Sequence, residues 1–164
     1  MKLIPLDQYK EMKWFNETAR VAANSLCLRA KCGAVIVKYG KIIGEGFNSP
    51  PQNNPELRTC LNEYEIPAGF RHDRTCCIHA EQRAIQDAIK KRNDMESATI
   101  YFVCVDENGD KVKATALKCT ICSRAALEAG IREFALCFED GIRIYPTDEF
   151  NRISYEYKTP KIIG

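Results

Sequence analysis

The sequence has no long hydrophobic run and no marked excess of charge of one sign. No window approaches the roughly 20 apolar residues that a bilayer span requires. Pro5 and Asp7 interrupt an N-terminal apolar stretch that is too short for a signal peptide. The 24 basic and 22 acidic residues give a formal net charge of +2, which provides no general attraction to nucleic acids or membranes. We therefore expect a cytoplasmic protein whose partners are neither membranes nor nucleic acids.

Disordered, collagen-like and coiled-coil classes are excluded by composition. Of the 164 residues, 45% are hydrophobic and 28% are charged, as in ordinary globular proteins. A chain of this length is expected to form one domain over residues 1–164.

Hydrophobic periodicity predicts helices that alternate with strands. The predicted helices cover 6–26, 77–92, 120–129 and 147–152, and the predicted strands cover 33–38, 41–47, 99–105, 132–138 and 142–145. The turn residues Asn108 and Gly109 indicate an extra hairpin over about 106–117, with 111–116 as its return arm. A long loop rich in proline and asparagine runs from 48 to 75. This order favours an α/β fold with one sheet covered by helices, and the opening hairpin makes that sheet mixed.

Histidine is scarce, with two residues, whereas cysteine is abundant, with nine. An odd number of cysteines without an export signal argues against a disulfide framework. Cys32, Cys104 and Cys137 lie in apolar runs, so we expect them to pack in the core as free thiols. The other uses of cysteine are metal binding and catalysis.

Two short motifs, His79-Ala80-Glu81 and Cys119-Thr-Ile-Cys122, each open a predicted helix. Zinc takes nitrogen and thiolate ligands in a tetrahedron, and two cysteines one helical turn apart can face the same ion. Three protein ligands leave a position for water, whose pKa zinc lowers to about 7. Glu81 is then available to move protons. The pattern matches the signature of zinc deaminases, except that Lys118 replaces the usual proline.

Two other interpretations of these motifs stay open. A closed structural zinc site would recruit Cys76 or Cys77 as a fourth ligand to the ion. A redox site would use the Cys119/Cys122 pair alone, but the sequence around it lacks the usual redox context.

The chain resembles the cytidine and deoxycytidylate deaminase superfamily, and within it the deoxycytidylate branch. The resemblance covers roughly residues 10–138 and rests on the stretches 32–44, 46–51, 77–85 and 119–131. It implies a three-layer α-β-α cytidine-deaminase-like fold with a mixed five-stranded sheet. It also implies one catalytic zinc ion, hydrolytic removal of an amine from a pyrimidine, and a homo-oligomer, either a dimer or a hexamer.

The resemblance implies a role for individual residues. His79, Cys119 and Cys122 match the zinc ligands, and Glu81 matches the proton shuttle. Asn48 matches an asparagine that holds the sugar; the alternative is a turn residue that ends a strand. The Ala80 backbone matches a pyrimidine contact, whereas Ser49 and Arg58 are weaker matches near the 5′-phosphate. The alternative for Arg58 is a solvated surface charge.

A second, structural zinc ion in the long loop is a property of some deoxycytidylate deaminases that the chain resembles. The matching positions are Cys27 and Cys60, and His72, Cys76 and Cys77 could complete the ligand set. If Cys76 and Cys77 open a regular helix, at most one of them can point at the ion. The alternative is that these cysteines are buried or free.

These observations predict a zinc-dependent hydrolase that deaminates a cytosine nucleotide, dCMP, to give dUMP and ammonia. One alternative is a deaminase of another small heterocycle or nucleoside, and another acts on a nucleic-acid base such as tRNA adenosine. A third is a zinc-stabilised binding module without activity, which would have no use for Glu81. The extra hairpin lies where the family places substrate-facing residues, so it bears on specificity.

Overall fold

The computed structural model describes residues 1–5, 9–59, 76–117 and 119–156, with only the backbone described for Tyr9 and Lys10. The helices are α1 (Tyr9–Ala22), α2 (Ala80–Lys90), α3 (Thr120–Glu128) and α4 (Thr147–Ser154). The strands are β1 (Lys2–Ile4), β2 (Lys31–Lys38), β3 (Lys41–Phe47), β4 (Thr99–Val105), β5 (Lys111–Val112), β6 (Glu133–Phe138) and β7 (Gly141–Pro146). Two short 3-10 turns, Pro51–Asn53 and Pro55–Leu57, follow β3.

The seven strands of the described residues form one mixed sheet in the order β1-β7-β6-β4-β2-β3, with β5 paired to β4. Strands β4 and β6 are parallel, and the other pairs are antiparallel. The expected number of five strands is therefore wrong. Strand β1 adds an edge next to β7, and β5 continues the position of β6 beside the end of β4. Both are only two or three residues long, too short for their side chains to show an alternating pattern.

The sheet buries a separate core on each face, which confirms the predicted three layers. Along β2, Ala34 and Ile36 pack toward α2, α3 and α4, whereas Val35 and Val37 pack toward α1. Such continuous burial in a central strand arises because helices cover both faces. The nearly unbroken apolar stretch 33–37 is typical of a strand that helices cover on both faces.

Helix α2 lies unusually close to β3. A Cβ atom added to Gly46 would lie 2.4 Å from the Ala84 nitrogen and 2.5 Å from the Ala80 oxygen. A Cβ atom added to Gly44 would lie 2.4 Å from the Ala84 oxygen. Because neither the glycines nor the alanines of the facing helix carry a large side chain, α2 packs directly on β3. This close packing sets where the first turn of α2 lies relative to the sheet.

Most elements lie where periodicity predicts them, but several ends differ. The predicted helix 77–92 begins only at Ala80, because Ile78 pairs with Ser49 in an isolated bridge. The predicted helix 6–26 covers Tyr9–Ala22 and ends where the Asn24 side chain binds the carbonyls of Arg20 and Val21. The return arm predicted over 111–116 is a strand only at Lys111–Val112.

The expectation of free core thiols is wrong for two of the three cysteines. Cys32 and Cys104 lie directly opposite each other on β2 and β4 and form a disulfide. Sequence patterning places each residue in a strand but does not reveal the register that makes them neighbours. Cys137 is free and 2% exposed, as expected of a core thiol.

Within the described ranges, no helix has the length and apolar character needed to cross a membrane.

Candidate metal centre and active site

A cavity of about 410 Å³ opens where α2 and α3 begin. Its volume is within the range of small-molecule sites. Its lining includes His79, Ala80, Glu81 and Cys119 from the two sequence motifs and the segment 112–116 that follows the extra turn. The sheet and α4 contribute an apolar lining of Phe102, Val103, Phe134, Leu136 and Phe150.

The structure brings the three predicted zinc ligands together. His79 Nδ1 lies 3.2 Å from Cys119 Sγ and 3.1 Å from Cys122 Sγ, and the two sulfur atoms are 2.7 Å apart. The three atoms can reach a single ion. Two thiols and one imidazole form a donor set that suits zinc, and three protein ligands are typical of its catalytic sites.

Helix ends position these ligands. His79 is the N-cap residue of α2, and its backbone amide donates to Gln82 Oε1 at 3.4 Å. Cys119 is the N-cap residue of α3 and has a left-handed backbone with φ of 75°. Its sulfur accepts a hydrogen bond from the Cys122 amide at 3.3 Å. This backbone conformation is uncommon outside glycine, and here it turns a thiol toward its metal-ligand partners. Lys118, the residue that replaces the usual proline, lies outside the described residues.

The three candidate ligand side chains are coupled to one another by hydrogen bonds. The hydrogen bond to Cys119 raises the pKa of His79 to about 9, and the negative charge of Glu81 adds to this effect. Hydrogen bonds from Cys122 and His79 lower the pKa of Cys119 to about 4, whereas the pKa of Cys122 is raised. The group therefore holds an imidazolium and a thiolate together. A bound metal cation would displace the protons that these side chains share.

Glu81 faces the same cavity from the first turn of α2. Its side chain is 5% exposed, and burial together with the negative Cys119 raises its pKa to about 7. A carboxyl group with this pKa exists in both protonation states at neutral pH. It can therefore accept a proton in one step and donate it in another.

The structure separates the four predicted substrate contacts into two groups. Asn48 and Ala80 line the cavity. Ser49 and Arg58 are not among its lining residues: Ser49 is fully buried, and the Arg58 guanidinium donates to the Leu26 carbonyl at 2.7 Å.

Asn48 is held by hydrogen bonds in three directions. Its Oδ1 accepts from the Cys32 amide at 2.8 Å and from Ser25 Oγ at 2.7 Å, and its Nδ2 donates to the Ala30 carbonyl at 2.8 Å. An asparagine amide has two N–H donors, so one remains available for a ligand in the cavity.

The candidate residues for a second metal site are only partly described. Cys60 and His72 lie outside the described residues. Cys27 forms a hydrogen bond with Cys77, which lowers the pKa of Cys27 to about 5 and raises that of Cys77. The Sγ atoms of Cys76 and Cys77 are 3.9 Å apart. Helix α2 begins after both residues, so the premise that they open a regular helix is wrong.

Two contributions to this region were missed by sequence reasoning. Arg83 donates from its guanidinium to the Pro50 carbonyl at 2.6 Å and to the Ser49 carbonyl at 3.3 Å, which fixes the loop beside Asn48. Lys113 lines the cavity from the extra hairpin. The sequence predicts the hairpin, but nothing in its pattern indicates which of its side chains face the site.

The fold and the site together are those of a zinc-binding deaminase domain. The model of the cytidine and deoxycytidylate deaminase zinc-binding region matches residues 9–138, and the chain belongs to this family.

Among curated relatives, the deoxycytidylate deaminase of Saccharomyces cerevisiae is 28% identical over 138 residues, which are 80% of this chain and 39% of the relative. That of Schizosaccharomyces pombe is 27% identical over 128 residues, 73% of this chain and 34% of the relative. The chain thus spans about a third to two fifths of the length of these relatives.

Solved structures share the fold. The dCMP deaminase of cyanophage S-TIM5 in complex with dCMP and dUMP aligns with a TM-score of 0.52 and 22% identity, covering 82% of this chain and 81% of that one. The cytidine deaminase of Burkholderia pseudomallei aligns with a TM-score of 0.57 and 16% identity, covering 85% and 94% of the two chains.

Proposed function

We propose that the protein is a zinc-dependent hydrolase that deaminates a cytosine nucleotide, with dCMP as its substrate. The observation that carries the proposal is the His79–Cys119–Cys122 group beside the buried carboxyl of Glu81 in one cavity. A closed structural site would not need a buried carboxyl group next to three metal ligands. The names of the yeast relatives and of the phage enzyme support dCMP as the substrate.

His79 Nδ1, Cys119 Sγ and Cys122 Sγ would hold the zinc ion. The three atoms lie within reach of one ion, and their chemistry suits it. A zinc ion in this place supplies Lewis-acid activation of a water molecule at neutral pH.

Glu81 moves the protons of the reaction. Its carboxylate takes a proton from the attacking water and delivers it to N3 of the ring, and a second transfer carries a proton to the exocyclic nitrogen. The C4–N bond then breaks, C4 keeps the oxygen from water, and ammonia leaves. Water and dCMP are consumed and dUMP and ammonia are formed, so no other reactant is needed.

Asn48 and Ala80 orient the nucleotide. The remaining amide hydrogen of Asn48 is available for a sugar oxygen, and the backbone of Ala80 lies next to the carboxyl group that would face the ring. The contacts of Ser49 and Arg58 with the phosphate stay predictions, as do the homo-oligomeric state and the cytoplasmic location.

A second, structural zinc ion is also part of the proposal. Cys27, Cys76 and Cys77 form a chain of neighbouring thiols, and Cys60 and His72 are the candidates to complete the set. Metal analysis should find two zinc ions per chain, and Cys27→Ser should reduce the number to one. One ion per chain in the unmodified protein would remove the second site from the proposal.

Ammonia release from dCMP, CMP, deoxycytidine and cytidine tests the main proposal. We expect the highest kcat/KM for dCMP and a loss of at least about 100-fold for Glu81→Gln, in line with the usual contribution of a general acid–base group. Glu128→Gln, which removes an exposed carboxylate from α3, serves as the control. Near-normal turnover by a zinc-loaded Glu81→Gln variant would contradict the role of Glu81.

A further inference from the structure

Arg83 contacts the chain on both sides of Asn48. Its guanidinium donates from Nη2 to the Pro50 carbonyl at 2.6 Å and to the Ser49 carbonyl at 3.3 Å. On the other side, its Cζ atom lies 5.9 Å from the centre of the Phe47 ring, within the range of a cation–π contact. Arg83 itself is half-buried. One side chain of α2 therefore holds the end of β3 and the two residues that follow Asn48.

These contacts connect the segment after β3 with the start of α2. Arg83 follows the candidate metal ligand His79 by one helical turn, and its backbone amide donates to the His79 carbonyl at 3.1 Å. The bridge between Ser49 and Ile78 joins the same two segments, with backbone hydrogen bonds of 2.9 and 3.4 Å. The arginine thus adds a side-chain connection next to a backbone connection.

The hydrogen bonds of the Asn48 side chain lead in a different direction. They join Asn48 to residues 25–32, which precede or begin β2. These bonds orient the amide group, but they do not tie it to α2, where His79 and Glu81 lie. A ligand that contacts Asn48 and the metal centre at once requires a fixed distance between them, because productive geometry tolerates little displacement. The contacts of Arg83 lie between these two parts of the site.

We propose that Arg83 is a positioning residue, which holds Asn48 at the distance from the metal centre that the nucleotide requires by binding the Ser49 and Pro50 carbonyls. This inference rests on the proposed function, because it assumes that Asn48 contacts the sugar and that the base lies at the metal centre. Arg83 is not among the described residues that line the cavity. Its effect on the substrate is therefore exerted through Asn48.

Both carbonyls have a second donor, which separates this role from simple stabilisation of the turn. The Ser49 carbonyl also accepts from the Ile78 amide at 2.9 Å, and the Pro50 carbonyl also accepts from the Asn53 amide at 3.0 Å. Loss of the guanidinium leaves neither carbonyl without a donor, so we expect the variants to fold. The loss is confined to the charge-assisted hydrogen bonds that reach across from α2.

The test compares Arg83→Gln and Arg83→Lys with Lys90→Gln, which removes a positive charge from the exposed last turn of the same helix. Hydrogen–deuterium exchange at the Asn48 and Ser49 amides and calorimetric binding of dUMP to the zinc-loaded protein require no turnover. The steady-state constants kcat and KM for dCMP are measured separately. Arg83→Gln is also combined with Asn48→Ala, and thermal unfolding checks that each variant is folded.

We expect Arg83→Gln to raise KM for dCMP and to weaken dUMP binding about 2- to 10-fold, the usual effect of losing one hydrogen bond. The value of kcat should be unchanged, because ground state and transition state lose the sugar contact equally. Exchange at the Ser49 amide should become faster. Arg83→Lys keeps the charge and should restore part of the affinity, whereas Lys90→Gln should change none of these quantities.

The double variant shows whether Arg83 acts through Asn48. If it does, Arg83→Gln should cause no further loss of dUMP affinity or kcat/KM once Asn48 is replaced by alanine, because both substitutions remove the same contact. Fully additive losses would overturn the assignment.

Unchanged KM and dUMP affinity in a folded Arg83→Gln protein would also overturn it, as would a fall in kcat at constant KM, which would assign Arg83 to the metal end of the site. If the unmodified protein binds dUMP and the variants change its affinity as expected, but dCMP is not deaminated, the positioning role is supported and the proposed function is contradicted.

Discussion

The backbone amide of Cys32 donates a hydrogen bond of 2.8 Å to Oδ1 of Asn48, so the first residues of β2 hold the residue that follows β3. Cys32 is also joined to Cys104 on the neighbouring strand. All three residues line the cavity. One wall of the candidate active site is therefore held by a hydrogen bond and a covalent bond that both involve Cys32.

Replacing Asn48 should affect stability and activity together. Asn48→Ala removes three side-chain hydrogen bonds and leaves the Cys32 amide without its acceptor, so we expect the free energy of unfolding to fall by about 1–3 kcal/mol. Catalysis should also fall, because the cavity loses the amide group that we propose binds the sugar. Urea denaturation and kcat/KM for dCMP measure the two effects.

The control is Asn24→Ala, which removes an exposed asparagine that caps the end of α1. We expect it to have little effect on kcat/KM. If the Asn48→Ala protein that remains folded has normal kcat/KM, then Asn48 is only the turn residue that ends β3.

Breaking the Cys32–Cys104 bond should destabilise the protein. The bond joins residues 72 positions apart, and disulfides typically contribute about 2–4 kcal/mol by restricting the unfolded chain. Denaturation with and without a phosphine reductant measures the difference. A Cys32→Ala/Cys104→Ala double variant should not respond to the reductant, and alkylation of both thiols in the unreduced protein would contradict the pairing.

The site was easier to predict from the sequence than the cavity around it. Zinc chemistry restricts ligand types and spacing so strongly that two short motifs predict His79, Cys119 and Cys122 as a ligand set, and the structure brings these three side chains together. The helix starts that position them also follow from local pattern, although pairing of Ile78 with Ser49 shifts the start of α2.

Long-range register could not be predicted in the same way. The Cys32–Cys104 pair depends on how β2 and β4 align, and periodicity does not encode alignment between distant strands. The same limit applies to Lys113, whose direction depends on the pairing of β5 with β4. The resemblance predicts Arg58 near the 5′-phosphate; in the structure its guanidinium donates to the Leu26 carbonyl, a contact that the sequence does not indicate.

Glu81 should make the stability of the metal-free protein depend on pH. Burial and the negative Cys119 raise its pKa from 4.5 to about 7, so the folded state binds this proton more tightly than the unfolded chain. The free energy of unfolding attributable to Glu81 then decreases as pH rises from about 4.5 to about 7. Glu81→Gln removes this dependence.

We therefore expect the stability of Glu81→Gln relative to the unmodified protein to increase by about 3 kcal/mol across that window. Chemical denaturation of chelator-treated protein at pH 5 and pH 8 measures it. Glu107→Gln, which removes a carboxylate from the exposed turn before β5, controls for loss of a surface charge. If the difference in stability between the two proteins stays constant or shrinks as pH rises, then folding does not raise the pKa of Glu81.

Placing a methyl group at Gly46 should disturb the metal centre without touching it. The new Cβ would lie about 2.4–2.6 Å from Ala80, Arg83 and Ala84 atoms, including backbone atoms of α2 that cannot turn aside. The helix must therefore move away from β3. We expect Gly46→Ala to lower the free energy of unfolding by about 1–3 kcal/mol or more. Because His79 and Glu81 lie at the start of that helix, zinc affinity and kcat should fall with it.

The matched change is Gly40→Asn, at the turn between β2 and β3, where a side chain would meet no atom within 4 Å. Asparagine tolerates the positive φ of that position, so zinc affinity should be unchanged and stability nearly so. Competition with a chromophoric chelator measures zinc affinity, and urea denaturation measures stability. If Gly46→Ala is destabilised but binds zinc normally, the close packing of α2 on β3 supports the fold alone and does not set the position of the ligands.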